Sequence, residues 1–337
     1  MIPLTKAVFL TVLWTVSLQF ATATAEDNLP PRLSGPGAGA LDPDEVAFAM
    51  AWCAQQHAGA FVNWAAVQQW QQWNFDIRRP ENQCFTRCFL AAVGLYAADV
   101  NQFKTSAVEV QYQKYSDVLS SVVNTGKMSK LRKALKELDS GDGSCQAVHS
   151  SFKKIWKRNE LRTSLSNLYH GNEDILRNLY RKDESIKIVD ESAFDFCART
   201  IKPPKQSSCK IRNTLLVLTG IEGKTLEFID CIFQQFRYMD KNYNIVVDEI
   251  LSDFKMIGSR HITDAKAILE RCRNPAEAGV GLRCYNALLN DPKTKYGFKL
   301  ALVARRAISS DYFYFVKNNL ADLKLIHSRI TASKCIN

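Results

Sequence analysis

The 337-residue chain lacks the features that assign a protein to most enzyme classes. It has no CxxC pair and its five histidines are scattered, so we predict neither a zinc site nor any other metal site. No glycine-rich nucleotide loop and no strand-like alternation of hydrophobic residues is present. Because no motif of nucleophilic catalysis occurs either, we predict that the protein is not an enzyme and needs no cofactor.

Acidic residues are fewer than basic residues. The 34 Asp and Glu oppose 44 Lys and Arg, which gives a formal net charge of +10. Such an excess favours anionic small molecules or polyanions as partners. Because no motif that reads DNA or RNA accompanies the charge, we expect no nucleic-acid partner.

Long hydrophobic runs are absent beyond the first 25 residues. Residues 1–25 contain Lys6, an apolar run from Ala7 to Trp14 and small residues before position 26, a pattern typical of a secretory signal peptide. The apolar run is too short for a membrane span. We therefore predict a secreted protein without membrane insertion, whose residues 26–41 form a flexible leader rich in Pro, Gly and Ala.

Ten cysteines lie beyond the predicted signal peptide, an even number that predicts five disulfides in an oxidising compartment. Cys84 and Cys88 stand four residues apart, so on a helix both thiols leave the same face and can tie it to two other segments. Pairing of Cys53 with Cys88 and of Cys84 with Cys145 is one of three connectivities open to the first four cysteines. The predicted disulfide cysteines are Cys53, Cys84, Cys88, Cys145, Cys197, Cys209, Cys231, Cys272, Cys284 and Cys335.

Helical periodicity runs through both halves of the sequence. Asp42 is expected to cap a first helix, and Thr225 is expected to cap another in the second half. Further helices are predicted over residues 100–120 and 128–138. We therefore predict an all-α protein of two disulfide-stapled helical domains in tandem.

The predicted boundary between the two domains follows a basic stretch. Residues 152–187 mix many Lys and Arg with apolar positions, which indicates a helical connector with an apolar seam and a basic face. That face is either simply solvated or a surface for an anionic group. We assign residues 42–187 to an N-terminal domain that includes this connector, and residues 188–337 to a C-terminal domain.

Several short motifs follow one another in a recognisable order. They are Cys84-x-x-x-Cys88 before Gly94-Leu95-Tyr96, Cys209 to Arg212, Tyr238 to Lys241 before Asp253 to Gly258, and Tyr296 to Lys299. With a four-plus-six division of the cysteines, they resemble the long-form D-seven salivary proteins of mosquitoes and other blood-feeding flies. These are two-domain relatives of insect odorant-binding proteins, and the resemblance covers essentially the whole chain beyond the signal peptide.

The resemblance implies a monomeric salivary carrier that sequesters host mediators without catalysis, and so opposes platelet aggregation and vasoconstriction. Members of this family bind cysteinyl leukotrienes or a thromboxane-like lipid in the first domain and biogenic amines in the second. Some bind adenine nucleotides at a basic region between the domains. An odorant carrier, or a protein-binding anticoagulant that uses the positive surface, remains an alternative.

Tyr96 lies where lipid-binding relatives present a hydroxyl group to the ligand. A helical bundle lined by aromatic residues would accept an acyl chain, and a lysine near its mouth could meet the carboxylate. The expected eicosanoid-binding residues are Tyr96, Phe85, Phe89, Val93, Trp73 and Lys187. The competing interpretation is that the apolar members simply fill a core.

The resemblance also implies a nucleotide site and an amine site. Binding of ADP or ATP is the alternative function, and its expected residues are Arg177, Tyr180, Lys182, Lys187, Ser309, Ser310, Asp311 and Tyr312. The amine site looks degenerate, because its acidic positions are occupied by Val303 and Arg306 while Arg212 and Tyr285 remain. A buried ammonium needs a carboxylate, so we expect little binding of serotonin or histamine.

Overall fold

The computed structural model describes residues 39–57, 64–77, 79–189, 191–204, 223–304 and 320–332. Helices dominate these residues, which confirms the predicted all-α class. The helices up to residue 182 are α1 (Pro43–His57), α2 (Trp64–Gln71), α3 (Pro80–Ala92), α4 (Ser106–Lys114), α5 (Ser116–Leu119), α6 (Thr125–Lys136), α7 (Cys145–Trp156), α8 (Asn159–Leu168) and α9 (Glu173–Lys182). Those that follow are α10 (Ala193–Ile201), α11 (Lys224–Gln235), α12 (Val247–Met256), α13 (Ile262–Cys272), α14 (Val280–Asn290), α15 (Lys295–Ala304) and α16 (Leu320–Ala332).

Buried hydrophobic residues form two separate clusters. The N-terminal core contains residues from Leu41 to Ile186, and the C-terminal core contains residues from Ala193 to Leu323. The predicted division between residues 187 and 188 stays a prediction, although it falls between the last residue of one core and the first of the other. No helix among the described residues is long and apolar enough to cross a membrane.

The predicted basic connector packs onto the N-terminal core. Its helices α7, α8 and α9 bury one apolar face each, and Phe152, Leu165 and Leu179 are among the buried residues. Most of their lysines and arginines remain exposed. These helices therefore have the predicted apolar side, which packs onto the N-terminal core, and the predicted basic side, which is exposed.

Disulfides hold the helices of both halves. Cys53–Cys88 joins α1 to α3, and Cys84–Cys145 joins α3 to α7, so α3 is tied on one face to two neighbours. The structure thus selects one of the three connectivities left open by the sequence. In the second half Cys197–Cys231 joins α10 to α11 and Cys272–Cys284 joins α13 to α14. Cys209 and Cys335 lie outside the described residues.

The first helix begins as its sequence predicts. Asp42 Oδ1 accepts a hydrogen bond from the Glu45 amide at 2.8 Å, and Glu45 Oε2 accepts from the Asp42 amide at 3.2 Å. This reciprocal pair satisfies two of the amides that a helix start leaves unbonded. Pro43 at the first helical position has no amide hydrogen to satisfy.

Two local predictions are wrong. The predicted helix over 100–120 begins only at Ser106, because Gln102–Phe103 pairs as an antiparallel strand with Tyr96–Ala97. Asn101 has a φ of +49° between these strands, a conformation that a right-handed helix does not contain. The predicted cap Thr225 lies inside α11, and Gly223, with a φ of +56°, occupies the N-cap position instead.

Candidate functional site

The centre of the N-terminal core is an aromatic wall on α3. Phe85, Phe89 and Val93 recur at helical spacing and are fully or almost fully buried. The indole of Trp70 stacks on Phe85 with ring centroids 3.8 Å apart. These contacts place three of the predicted lipid-binding residues on one surface.

Trp73 extends this wall beyond the end of α2. Its ring lies 5.3 Å from Phe89 and 5.1 Å from Tyr169, and the Tyr169 hydroxyl donates to the Val93 carbonyl at 3.3 Å. Trp73 adopts a left-handed backbone conformation, with a φ of +56°, just after α2. The structure therefore brings the predicted Trp73, Phe89 and Val93 together in a ring-packed interior.

Tyr96 lies at the edge of the aromatic wall, with its ring 5.6 Å from Phe103. Its hydroxyl donates to Asn101 Oδ1 at 2.8 Å, and Asn101 Nδ2 donates in turn to the Gly141 carbonyl at 2.9 Å. Gly143 follows in the same turn with a φ of +75°, and a Cβ there would lie 3.1 Å from the Tyr96 hydroxyl. A ligand oxygen that accepts from the Tyr96 hydroxyl must therefore replace a hydrogen bond already present.

Arg87 is a cation at this edge that the sequence analysis missed. Its guanidinium carbon lies 5.6 Å from the centre of the Tyr96 ring, and its Nε donates to the Gly143 carbonyl at 2.8 Å. Arg87 is half-buried on α3 between the two stapled cysteines. Its position between Cys84 and Cys88 was the signal that could have identified it.

Helix α7 closes the aromatic wall from the other side. The Phe152 ring lies 6.1 Å from Phe75 and 6.2 Å from Phe103. Among the described residues, the buried Trp156 Nε1–H and the buried Ser151 hydroxyl have no hydrogen-bond partner. An unbonded buried donor costs about 1–3 kcal/mol, so both groups would gain from an acceptor. These two donors could not be predicted from the sequence, because their hydrogen bonding depends on which groups pack opposite them.

Lys187 is part of a buried ion cluster between the two cores. Its Nζ lies 2.6 Å from Asp44 Oδ1, and the two side chains are only 4% and 2% exposed. Arg237 of the C-terminal half approaches the other oxygen of Asp44 at 3.3 Å, and its guanidinium lies over the Phe48 ring. Nearby, Trp52 Nε1 lies 3.3 Å from Glu249 Oε2.

The predicted role of Lys187 in lipid binding stays a prediction, but its ion pair with Asp44 restricts how a ligand could bind to it. A ligand carboxylate that approached Lys187 would compete with Asp44 for the same ammonium group. Displacing one partner of a buried ion pair is costly. Arg87 lies instead at the Tyr96 edge, where its Nε donates to the Gly143 main-chain carbonyl.

The segment before α1 is also buried and polar. Leu41 exchanges two hydrogen bonds with the Gln111 side chain, each 2.9 Å long, and its carbonyl lies 3.0 Å from His170 Nε2. Burial lowers the pKa of His170 to about 4. Burial, followed by the neighbouring Glu45 and Asp44 carboxylates, raises the pKa of Asp42 to about 6.

The predicted nucleotide residues are only partly described. Arg177 and Lys182 are exposed and pair with Asp174 at 3.6 Å and with Asp117 at 2.7 Å. Tyr180 accepts a hydrogen bond from the Val189 amide at 3.1 Å. Lys187 is buried in its ion pair with Asp44, and Ser309, Ser310, Asp311 and Tyr312 lie outside the described residues.

The predicted degenerate amine site lies in the C-terminal core. Tyr285 on α14 is buried against Phe298, with ring centroids 5.9 Å apart, and Val303 is buried on α15. The Tyr285 hydroxyl has no hydrogen-bond partner among the described residues, and burial raises the pKa of this phenol. Arg212 and Arg306 lie outside the described residues.

Comparisons with known proteins agree with this architecture. Residues 184–288 match the PBP/GOBP family. The long form salivary protein D7L1 of Anopheles gambiae is 28% identical over 282 residues, which cover 82% of this chain and 86% of that protein.

Two solved structures extend the comparison to three dimensions. The AnSt-D7L1–U46619 complex has a TM-score of 0.71 at 26% identity and covers 87% of this chain and 98% of its own. The AeD7–leukotriene E4 complex has a TM-score of 0.67 at 26% identity, with 84% and 94% covered. The similarity thus extends across both cores.

Proposed function

Because the chain is similar over most of its length to mosquito long form D7 salivary proteins, as its motifs predicted, we propose that it is a salivary carrier of eicosanoids. It would bind a lipid of this class in the N-terminal half and sequester it stoichiometrically, without catalysis. Two similar structures hold U46619 and leukotriene E4, which supports this ligand class. Capture of such host mediators would aid blood feeding.

The interior of the N-terminal core carries the proposal. Its aromatic wall offers apolar contact for a lipid tail, and the unbonded Trp156 donor offers a partner for a ligand oxygen. An apolar pocket with a few polar groups is the usual form of a lipid site. The single observation that carries most weight is the buried Trp156 N–H, since an ordinary filled core would pair it.

The ligand carboxylate would meet Arg87 at the Tyr96 edge. A guanidinium binds a carboxylate through two parallel hydrogen bonds, and Arg87 is half-buried, where such bonds are stronger than in water. Tyr96 would exchange its bond to Asn101 for one to the ligand. The expected lipid-binding residues Phe85, Phe89, Val93 and Trp73 keep their proposed role as apolar lining.

The C-terminal core is proposed not to bind biogenic amines. Val303, a buried apolar residue, stands where the resemblance places a carboxylate. An ammonium group buried without a carboxylate loses its hydration without compensation. We therefore expect serotonin to bind weakly or not at all.

Titration calorimetry of the purified full-length secreted protein tests this function. We expect leukotriene E4 or U46619 to bind with one site per chain and serotonin to give no heat. Arg87→Gln should weaken binding of the carboxylate ligand by about tenfold, the value of one charge-assisted hydrogen bond.

Arg162→Gln serves as the matched control, because it removes one positive charge on α8 and should leave lipid binding unchanged. If neither leukotriene E4 nor U46619 binds, the proposed function is rejected. Submicromolar serotonin binding would instead reject the interpretation of the C-terminal core.

A further inference from the structure

The segment from α6 to the start of α8 accounts for more than half of the chain's net positive charge. Residues 125–162 contain ten Lys and Arg but only four Asp and Glu, so they supply +6 of the net +10. Helix α6 contains five of these cations and no acidic residue. Like charges at helical spacing repel one another, and a bound polyanion would relieve that repulsion.

A cleft of about 310 Å³ opens on this surface between α6 and the start of α8. Three cations line it, namely Lys130, Lys133 and Arg158, together with two acidic and two apolar residues. Lys136 and Lys157 are exposed beside these cations in the sequence. We call Lys130, Lys133, Lys136, Lys157 and Arg158 the cationic ridge.

Two cations of the cleft are available to a ligand. Within the described part of the chain, Lys133 and Arg158 form no ion pair with a carboxylate, whereas Lys130 pairs with Glu160 at 2.9 Å. That pair is more than half exposed on both sides, so it is worth about 1 kcal/mol or less. An anion could therefore recruit all three cations at small cost.

We propose that the cationic ridge binds a sulfated linear polysaccharide, with one sulfated sugar seated in the cleft. Sulfate groups form charge-assisted hydrogen bonds with lysine and arginine, as phosphates do. A row of sulfates would then extend from the cleft along Lys136 and Lys157. This site is separate from the aromatic interior to which the proposed function is assigned.

The composition of the ridge favours a polysaccharide over a membrane or a nucleic acid. Membrane-bound surfaces insert apolar side chains, and proteins that bind single-stranded nucleic acids stack bases on aromatic rings. Trp156, the aromatic residue nearest the ridge in sequence, is buried. The large hydrophobic residues exposed in the described ranges all lie elsewhere: Val100, Val110, Ile188, Tyr296 and Leu325.

A heparin hexasaccharide is the probe for this proposal, titrated into the full-length protein between about 50 and 200 mM NaCl. The double variant Lys133→Ala with Arg158→Ala should lose about tenfold in affinity. The slope of log affinity against log salt should fall by about 2, one for each cation removed. Lys255→Ala with Lys266→Ala, exposed on α12 and α13, removes the same charge and should change affinity less than about twofold.

A second variant acts in the opposite direction. Glu160→Gln removes the carboxylate that pairs with Lys130, so heparin affinity should rise by about twofold or more. Equal losses in the two double variants would overturn the proposal, because the effect would then be net charge alone. Tighter binding of anionic lipid vesicles or duplex DNA at the same salt would also overturn it.

Discussion

Each half of the molecule contains a disulfide of nearly the same span, but the two halves differ in the polar groups that they bury. Cys53–Cys88 closes a separation of 35 residues with Cα atoms 5.8 Å apart, and Cys197–Cys231 closes 34 residues with Cα atoms 5.9 Å apart. The first joins α1 to α3, and the second joins α10 to α11. These two disulfides are therefore alike in loop length and in Cα separation.

The interiors differ in their polar groups. In the N-terminal core the buried Trp156 and Ser151 donors on α7 are unbonded among the described residues, and Arg87 stands at the edge. In the described part of the C-terminal core the buried Tyr285 hydroxyl is unbonded, and Val303 lies where the resemblance places an acid. Under the proposed function, these few polar residues would decide which ligand each half can hold.

The largest expected effect comes from removing the buried ionic contact between the two halves. Asp44→Ala removes the carboxylate that both Lys187 and Arg237 contact, so we expect unfolding free energy to fall by about 3–5 kcal/mol. Asp117→Ala is the control, because Asp117 pairs with Lys182 at the surface and should cost less than about 1 kcal/mol. Urea unfolding that gives equal losses for the two variants would contradict the buried pair.

Removing each of the two matched disulfides tests whether they stabilise the two halves equally. Replacing Cys53 and Cys88 by alanine should lower the free energy of unfolding by about 4 kcal/mol, and replacing Cys197 and Cys231 should do the same, because chain entropy depends on loop length. Thermal unfolding of the two variants provides the measurement. If the two losses of unfolding free energy differ by more than about 2 kcal/mol, the packing of each core, and not loop length alone, determines how much its disulfide stabilises the protein.

The pH dependence of stability sharpens the comparison at the junction. Asp42 has a folded pKa of about 6 against about 3.8 unfolded, so the folded state binds more protons between these values and loses stability as pH rises through 6. The cost at neutral pH is about 3 kcal/mol. Asp42→Asn keeps an acceptor for the Glu45 amide but no charge.

We therefore expect the stability of Asp42→Asn relative to the original chain to rise by about 3 kcal/mol between pH 4 and pH 7. His170 adds an opposite slope, since its depressed pKa makes stability fall as pH decreases from 6.5 to about 4. This second slope is common to both proteins and cancels in the difference. A difference independent of pH would show that the Asp42 pKa is not raised.

The smallest expected effects concern two tyrosine hydroxyls. Tyr285→Phe removes a buried hydroxyl with no partner among the described residues, so stability should rise by about 1 kcal/mol. Tyr96→Phe removes a bond to Asn101 and should lower stability by about 1 kcal/mol. Chemical denaturation gives the sign of each stability change. Two changes of the same sign would contradict the conclusion that the Tyr96 hydroxyl is bonded and, within the described residues, the Tyr285 hydroxyl is not.

Local chemistry made parts of this structure predictable. The cap at Asp42 and the helix with Cys84 and Cys88 on one face both follow from neighbouring residues. The helix predicted from residue 100 was wrong because a two-residue strand pairing overrode its periodicity. Helical pattern is a weak guide where the chain can pair with a neighbouring segment.

The candidate sites depend on residues far apart in the sequence. Asp44 meets Lys187 across 143 residues and Arg237 across 193 residues, distances at which periodicity carries no information. Likewise, Trp156 could be predicted as buried, but its unbonded state depends on the residues packed opposite it. The proposed ligand class rests on the resemblance, whereas Arg87 and the cationic ridge required the folded arrangement.

One measurement tests the central claim that the N-terminal interior binds the lipid. Leukotriene E4 is titrated into the full-length protein and into two variants, Trp156→Phe and Tyr285→Phe, each of which keeps an aromatic ring and removes one buried donor. The proposal predicts about tenfold weaker binding by Trp156→Phe and unchanged binding by Tyr285→Phe. Weaker binding by Tyr285→Phe with none lost in Trp156→Phe would place the lipid in the C-terminal core and contradict the account.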